Sequence, residues 1–185
     1  YELTEFGEVI ADRTEEYVSF VLSSEEYKEF MGTVAETDLS LKYISNAELT
    51  RTSSANPVAP LVRLAEVTSR ASEVRVLTNS IAPESFEVGR KKLREGEQEV
   101  EIVIDSRTIE SIRGSEWFGE EIKKDLETGN FELWVYRGRI PHQIGIMDNK
   151  LCLGAESNDR MPIAMLETED ERAVSWAEGV YRRYK

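Results

Sequence analysis

Few residues in this sequence have the side chains that catalysis or metal binding needs. His142 is the only histidine, and its imidazole could serve as an acid, a base or a nucleophile. Cys152 is the only cysteine, and its place between Leu151 and Leu153 indicates a small core residue rather than a nucleophile or half of a disulfide. One histidine and one cysteine cannot build a four-ligand metal site, and no serine lies in a nucleophile elbow. We therefore expect no metal and no cofactor.

Ligand binding is the chemistry that remains. In open α/β sheets, ligands collect beyond the carboxyl ends of the strands. Three predicted strands end in polar side chains, and these form the predicted site: Asn79, Ser80, Asp105, Ser106 and Tyr136. Each has a second interpretation as a turn or capping residue, and Asp105 with Ser106 could simply begin a helix.

The hydrophobic pattern predicts an α/β domain with a mixed sheet flanked by helices. Predicted strands lie at 47–53, 74–77, 99–105, 131–136, 142–147, 150–155 and 161–166, and Asp148 with Asn149 forms the turn of a hairpin. Predicted helices lie at 83–95, ending before Gly96, and at 106–128, interrupted near Gly114. The basic run 90–92 is interpreted as the solvated face of a helix.

Two further helices have predicted start signals. Asn56 is the predicted N-cap of the first, with Pro57 at its first helical position and an apolar face of Val58, Leu61, Val62 and Ala65. Thr168 and Glu171 have the spacing of a capping box for the last helix. The core face of that last helix is predicted to be Ala173, Ala177, Val180, Tyr181 and Tyr184.

The chain opens with a predicted helix from about Thr4, its N-cap, to about Ser23. Its apolar residues recur near helical spacing, at Phe6, Ile10, Tyr17 and Val21. Serines and Gly32 then weaken the helical pattern.

Charge and hydropathy restrict the classes of function. A formal net charge of −13 repels phosphate backbones, so this chain itself should not grip nucleic acid. No run of 18 apolar residues or basic leader is present, which favours a cytoplasmic protein without membrane contact.

Two stretches resemble a known family. They are residues 126–138 (LETGNFELWVYRG), followed by Ile140 and Pro141, and residues 161–168 (MPIAMLET), which lead into a helix with Trp176 and Tyr181. Both are similar to motifs of archaeal winged-helix regulators, in the family named after a methanogenesis regulatory protein, and the resemblance covers about residues 40–185. Residues 1–7 also resemble the last wing strand and following helix of winged-helix regulators. The resemblance implies a DNA-binding winged helix upstream of this chain.

The order of elements also resembles half of a phospholipase D-type domain, as in TrmB-type archaeal regulators. The catalytic pattern of that fold has a histidine, a lysine two residues on, an aspartate five further along, and a downstream glycine and asparagine. Here His142 takes the histidine position, with Gly154 and Asn158 downstream. Ile144 replaces the lysine, and Asp148 comes one residue early.

The missing lysine decides against catalysis. Phosphodiester cleavage in that fold uses two histidines, and lysines that neutralise the phosphate. A homodimer could supply a second histidine, but the lysine would still be absent. By this resemblance His142, Ser157 and Asn158 join the predicted binding site, although His142 could also be a structural histidine of the hairpin. Without a counter-charge, a neutral effector is expected.

The resulting prediction is a non-catalytic sensor. Residues 1–35 are expected to form a helical linker and dimerisation segment, and residues 36–185 a phospholipase D-like effector-sensing domain. A homodimer is expected, because two-fold operators call for two-fold proteins, with an interface at Phe6, Ile10, Tyr17 and Val21. A ligand-free interaction module and a phosphodiesterase remain as alternatives. A pocket with convergent polar groups favours the sensor, and a filled crevice favours the interaction module.

Overall fold

The computed structural model describes residues 3–34, 37–80, 83–113, 116–157 and 161–185. Within these residues the strands are β1 (Glu48–Arg51), β2 (Glu73–Thr78), β3 (Glu99–Asp105), β4 (Phe131–Tyr136), β5 (Gln143–Met147), β6 (Lys150–Glu156) and β7 (Pro162–Thr168). The α-helices are α1 (Glu5–Thr33), α2 (Ala59–Arg70), α3 (Pro83–Glu95), α4 (Ser106–Arg113), α5 (Glu116–Leu126) and α6 (Glu171–Tyr184). A short 3-10 turn at Leu41–Tyr43 precedes β1.

The strands form one seven-stranded sheet in the order β1-β7-β6-β5-β2-β3-β4. The neighbours β2, β3 and β4 run parallel, and the other neighbouring strands are antiparallel. Parallel neighbours need crossover connections, which α3, α4 and α5 supply, whereas β5, β6 and β7 follow one another as a meander. The predicted mixed α/β sheet is confirmed.

The two faces of the sheet are covered by different helices. On the face that we call the α6 face, α6 and the last turns of α1 pack against the inward side chains of the central strands, among them Leu77, Val103, Ile144, Ile146, Leu153 and Leu166. On the opposite face, the α2 face, helices α2, α3 and α5 cover Val74, Ile102, Ile104, Met147, Cys152 and Met165. Because successive strand residues point to opposite faces, neighbouring polar residues at a strand end also separate between the faces.

Helix α1 begins as predicted but runs well past Ser23, to Thr33. The Thr4 hydroxyl accepts a hydrogen bond from the Gly7 N–H at 3.1 Å, which caps the first turn. Near the other end, Phe30 is fully buried in the core of the α6 face. This packing stabilises turns that the serines and Gly32 would leave marginal in an isolated helix.

The predicted start of α2 is wrong by two residues. Asn56 closes a tight turn with Ser53, in which each residue donates its N–H to the carbonyl of the other at 3.1 Å. The helix therefore begins at Ala59, with Val58 as N-cap. Its predicted apolar face is also partly wrong, because the buried residues of α2 are Pro60 and Val67, and Val58 and Val62 are exposed.

The capping box predicted for α6 is wrong as well. Asp170 is the N-cap, and its carboxylate accepts hydrogen bonds from the N–H groups of Arg172 at 2.9 Å and Ala173 at 3.4 Å. Thr168 is the last residue of β7, where its hydroxyl accepts from the Asp170 N–H at 3.1 Å. The predicted core face is confirmed: Ala173, Ala177, Val180 and Tyr181 are buried and Tyr184 partly so. No helix in the described part of the chain is long and apolar enough to cross a membrane.

Candidate functional site

One edge of the sheet collects nearly all the predicted site residues. The carboxyl ends of β2, β3 and β4 meet there with the start of β5, the end of β6 and the start of β7. The residues at this edge are Asn79, Ser80, Asp105, Ser106, Tyr136, His142 and Ser157. Asn158 lies outside the described residues. Within the edge, the faces of the sheet divide these residues into separate groups.

Asp105 and Asn79 connect structural elements at this edge. Asp105 is fully buried, and its Oδ1 accepts hydrogen bonds from the N–H and the hydroxyl of Thr108, both at 2.8 Å, which caps α4. The Thr108 hydroxyl also donates to the Asn79 carbonyl at 2.8 Å, and the Asn79 amide donates to the Ile140 carbonyl at 3.1 Å. The contacts of Asp105 are thus those of a residue that caps the start of a helix, which was the alternative interpretation of this residue. Ser106 is the first residue of α4.

His142 and Tyr136 lie together in an open groove on the α6 face. The other described residues of this groove are Asp38, Pro141, Arg183 and Tyr184. The ring of Tyr136 packs edge-on against Tyr184, with ring centroids 4.9 Å apart, and His142 is buried. A hydrogen bond from Trp176 lowers the pKa of Asp38, and the charge of Arg183 lowers it further. The groove thus carries charges of both signs.

The structure does not bring together the positions of the catalytic pattern. Ile144 is 1% exposed and lies in the core of the α6 face. Asp148 sits in the turn between β5 and β6, where its carboxylate accepts from the N–H groups of Ser72 at 3.0 Å and Glu73 at 2.9 Å. That turn lies at the opposite edge from His142, because the whole of β5 separates the two. Neither position places a charge that could neutralise a phosphate beside the histidine.

Ser80 belongs to a different polar group, on the α2 face. The Gln143 amide donates to the Ser80 hydroxyl at 2.6 Å and also to the Glu156 carboxylate. The Ser80 hydroxyl donates to the same carboxylate at 3.2 Å. Sequence reasoning missed Gln143 and Glu156. The rule that found Ser80 could have found Glu156, which ends β6, but not Gln143, which begins β5. Ser157, the residue after Glu156, pairs instead with Met161, whose N–H donates to its hydroxyl at 3.2 Å.

A cavity lies next to this polar group, between α2, α3 and the sheet, and sequence reasoning missed it. Its volume is about 180 Å³, and its wall is mostly apolar, with contributions from Leu64, Val76, Val100, Met147, Cys152 and Met165. Val76 lies in β2, in the middle of the sheet, and yet it is only partly buried. Ser80 and Gln143 also line the cavity. Leu61 and Ala65, which were predicted to face the core, line it too.

The described wall of the cavity contains two charged side chains, and they neutralise each other. Arg90 donates to Asp125 at 2.8 Å, and both are almost fully buried. Arg94 donates to the other oxygen of Asp125 at 2.9 Å and pairs with Glu121 at 2.7 Å. The interpretation of the basic run 90–92 as a solvated face is therefore wrong at Arg90, because this guanidinium is paired inside the domain.

Cys152, in the wall of the same cavity, is a poor nucleophile. Burial raises the pKa of its thiol to about 12, and the nearby carboxylate of Glu167 adds to the effect. A thiol with so high a pKa is almost entirely protonated at neutral pH and reacts slowly. Among the described residues, no three His, Cys, Asp or Glu side chains lie close enough together to hold a metal ion.

Comparison with known proteins identifies related sequences and folds. Residues 57–185 match the family model of the middle domain of the methanogenesis regulatory protein FilR1. A comparison with curated protein sequences gives no match to this chain. Among solved structures, TrmBL2, an archaeal chromatin protein whose structure shows a novel mode of DNA binding, aligns over 96% of this chain with a TM-score of 0.57 and 15% identity. This chain spans 64% of the length of TrmBL2.

Two bacterial proteins share the fold over a shorter part of the chain. NucT from Helicobacter pylori aligns over 75% of this chain and 94% of its own, with a TM-score of 0.59 and 16% identity. Nuc from Salmonella typhimurium, a phospholipase D family member, aligns over 75% of this chain and 93% of its own, with a TM-score of 0.56 and 14% identity. The phospholipase D-like fold is confirmed, and at these identities the likeness concerns the fold alone.

Proposed function

Because the chain belongs to the family of the FilR1 middle domain, the regulatory domain of an archaeal transcriptional regulator, we propose that it senses a small-molecule effector and performs no phosphodiester chemistry. DNA contact would come from a winged-helix domain elsewhere in the regulator. Effector binding would reach that domain through α1 and a homodimer. A coupling free energy of about 1 to 3 kcal/mol is typical of such regulation.

The replacement of the catalytic lysine by a buried isoleucine supports this proposal most directly. Phosphoryl transfer develops negative charge on the phosphate oxygens, and positioned cations supply most of its stabilisation. At the corresponding position, the side chain of Ile144 is 1% exposed and packed in the core. The fold is thus kept while the charge that its chemistry needs is absent from this position.

Hydrolysis of bis(4-nitrophenyl) phosphate tests the absence of catalysis. We expect wild type and His142→Ala to give the same background rate, because His142 has no cationic partner at the lysine position. Turnover by wild type that disappears in a folded His142→Ala variant would establish a phosphodiesterase and contradict the proposal. Circular dichroism of both proteins checks that they are folded.

The exposed surface of α1 supports assembly into a dimer. All four predicted interface residues are exposed on this helix, and so are Val9 and Val18. Positions 6, 10, 13, 17 and 20 of the helix alternate in steps of four and three, which is the spacing of a two-stranded helical seam, and four of the five are large apolar residues. A second copy of the same helix would bury this stripe by two-fold symmetry.

Contacts at β1 offer a route between the domain core and α1. The Arg51 guanidinium in β1 donates to the Glu26 carbonyl of α1 at 2.9 Å and pairs with the Glu29 carboxylate at 3.3 Å. From the same strand, Glu48 pairs with Arg63 of α2 at 3.5 Å. A shift of α2 would therefore displace β1, and β1 would in turn displace α1.

The same exposed stripe of α1 is also consistent with the alternative function, a ligand-free interaction module. The partly buried side chains of the cavity favour the sensor instead, because a module that serves only assembly has no use for an unfilled core. Thermal-shift screening of neutral metabolites, followed by calorimetry, separates the two. A stabilising metabolite that also changes operator binding by the whole regulator is expected for the sensor.

A further inference from the structure

We propose that the cavity between α2, α3 and the sheet is the effector site, and that it takes a small, uncharged, largely apolar molecule of about the size of a substituted aromatic ring. This inference rests on the sensing function proposed above. It places the ligand on the α2 face, on the other side of the sheet from the groove that contains His142.

The volume of the cavity sets the size of the ligand. The cavity measures about 180 Å³ and is lined mainly by aliphatic, thioether and thiol side chains. An engineered apolar cavity of about 150 Å³ stays dry and binds benzene, because water would find too few hydrogen-bond partners there. A single ring with a short substituent matches this space.

Tethers on both ends of α2 keep the cavity from collapsing. At one end Arg63 donates to the buried carboxylate of Glu167 in β7 at 2.6 Å. At the other end the Gln98 amide donates to the carbonyls of Thr68 and Ala71, both at 2.9 Å. These bonds fix the helix above the sheet, so the space beneath it exists before a ligand enters, as is usual for small-molecule sites.

The charge of the wall selects an uncharged ligand. Arg90 and Asp125, the charged side chains of the described wall, form an ion pair at 2.8 Å. An anionic ligand would have to compete with Asp125 for Arg90 and would bring an unbalanced charge into a mostly apolar space. Burial of an uncompensated charge is strongly unfavourable.

The polar group at the sheet edge gives the ligand an orientation. Ser80 and Gln143 line the cavity and are hydrogen-bonded to each other at 2.6 Å. A hydroxyl or amide on the ligand can join this pair, while the ring lies against Val76 and Met147. The favoured class is therefore a neutral aromatic or alicyclic compound with one polar substituent.

Methyl NMR with benzyl alcohol as the probe tests the site directly. The chain has four methionines, of which Met147 and Met165 line the cavity, whereas Met31 and Met161 lie outside its wall. With ¹³C-methyl methionine, we expect benzyl alcohol at about 20 mM, enough to saturate a millimolar site, to shift Met147 and Met165 selectively. Benzoate, of similar size but anionic, should bind at least tenfold more weakly.

A cavity-filling variant with a matched control locates the binding. Ala65 lines the cavity, so Ala65→Leu should fill part of it, and Ala59→Leu makes the same change on α2 outside the described wall. At about five times its dissociation constant, benzyl alcohol should raise the Tm of wild type and Ala59→Leu by about 2 to 4 °C. Benzyl alcohol should not change the Tm of Ala65→Leu. Signals of Met31 and Met161 at their wild-type positions would show that this variant is folded.

Several outcomes would overturn the inference. Absent or uniform methionine shifts, equal binding of benzoate, or an Ala65→Leu variant that still binds the probe would each show that the cavity is not the site. Loss of probe binding in a folded His142→Ala variant would move the site to the groove on the α6 face. The methionine shifts and the change in Tm report binding in a monomer as well as in a dimer. A monomeric protein would therefore contradict the proposed dimer without deciding whether the cavity binds the probe.

Discussion

At the scale of single residues, Asp170 shows how one carboxylate stabilises a helix. It accepts the N–H groups that begin α6, and the Arg172 guanidinium donates to it at 2.6 Å. Asp170→Ala should lower the free energy of unfolding by about 1 kcal/mol at neutral pH, the usual value for loss of an N-cap. Urea denaturation measures the difference.

The pH dependence of this effect has a definite sign. The hydrogen bond from Arg172 lowers the pKa of Asp170 from 3.8 to about 2, and the N–H groups of Arg172 and Ala173 contribute to the shift. A lowered pKa stabilises the folded state above the ordinary pKa of the carboxyl group, and the contribution is lost as the pH falls toward about 2. The gap between wild type and Asp170→Ala should therefore narrow below about pH 4. Asp170→Asn keeps an acceptor without the charge, so the difference in stability between Asp170→Asn and Asp170→Ala should not change with pH. A difference between these two variants that also narrowed below about pH 4 would contradict the argument.

Single-residue roles were the least predictable from sequence. Thr168 and Glu171 have the spacing of a capping box, but Thr168 is held in β7 by its pairing with β6, so Asp170 takes the cap. Arg90 follows the helical pattern of a surface residue, and only the approach of α5 supplies the Asp125 that pairs with it. Both outcomes depend on contacts between distant parts of the chain, which spacing alone does not encode.

At the scale of secondary-structure elements, substitutions in α1 test whether the protein forms a dimer through this helix. Ile10→Asp places a charge in the exposed stripe, and we expect it to shift the protein from dimer to monomer, because a buried unpaired carboxylate disfavours the interface. Ala11→Asp adds the same charge beside the stripe, and this variant should remain dimeric. Sedimentation velocity at tens of micromolar, where interfaces of ordinary size associate, measures the difference. A monomeric wild type, or two variants that behave alike, would exclude α1 as the interface.

The sequence predicted the bounds of β3 and α3 to the residue, but not the end of α1. The range of β3 was predicted to the residue, because alternating and then continuous apolar residues mark a strand that enters a covered sheet. The end of α1 was missed by about ten residues, since burial of Tyr27 and Phe30 against the sheet outweighs the weak helical propensity of the sequence around them.

At the scale of the whole molecule, charge predicts that this chain alone will not bind DNA selectively. Its formal net charge is −13, so a duplex should be repelled, and more strongly at low salt. Fluorescence anisotropy with a labelled duplex from the regulator's own promoter should show no saturable binding at nanomolar protein. Sequence-selective nanomolar binding by the isolated chain would contradict the proposed division of labour with a separate DNA-binding domain.

The fold class was predictable, but the cavity beneath α2 was not. The order of strands and helices, together with motifs such as residues 161–168, led to the family and to its sheet. The cavity depends on how far α2 stands from the sheet, which the tethers made by Arg63 and Gln98 determine. Val76 and Met147 look like ordinary core residues in sequence, and nothing in their spacing distinguishes a filled interior from an open one.

The length of α1 has a mechanical consequence. The helix is held in the core near Phe30, while the part before Ser24 carries the exposed stripe and extends about 30 Å at 1.5 Å per residue. A tilt of about 10° at the anchored end of this arm would therefore move its tip by about 5 Å. Half-sites of a two-fold operator lie about 34 Å apart. In the proposed dimer, a small adjustment in the core of each subunit would be enlarged along this arm, and it would be enough to bring the proposed pair of DNA-binding domains into or out of register with their operator.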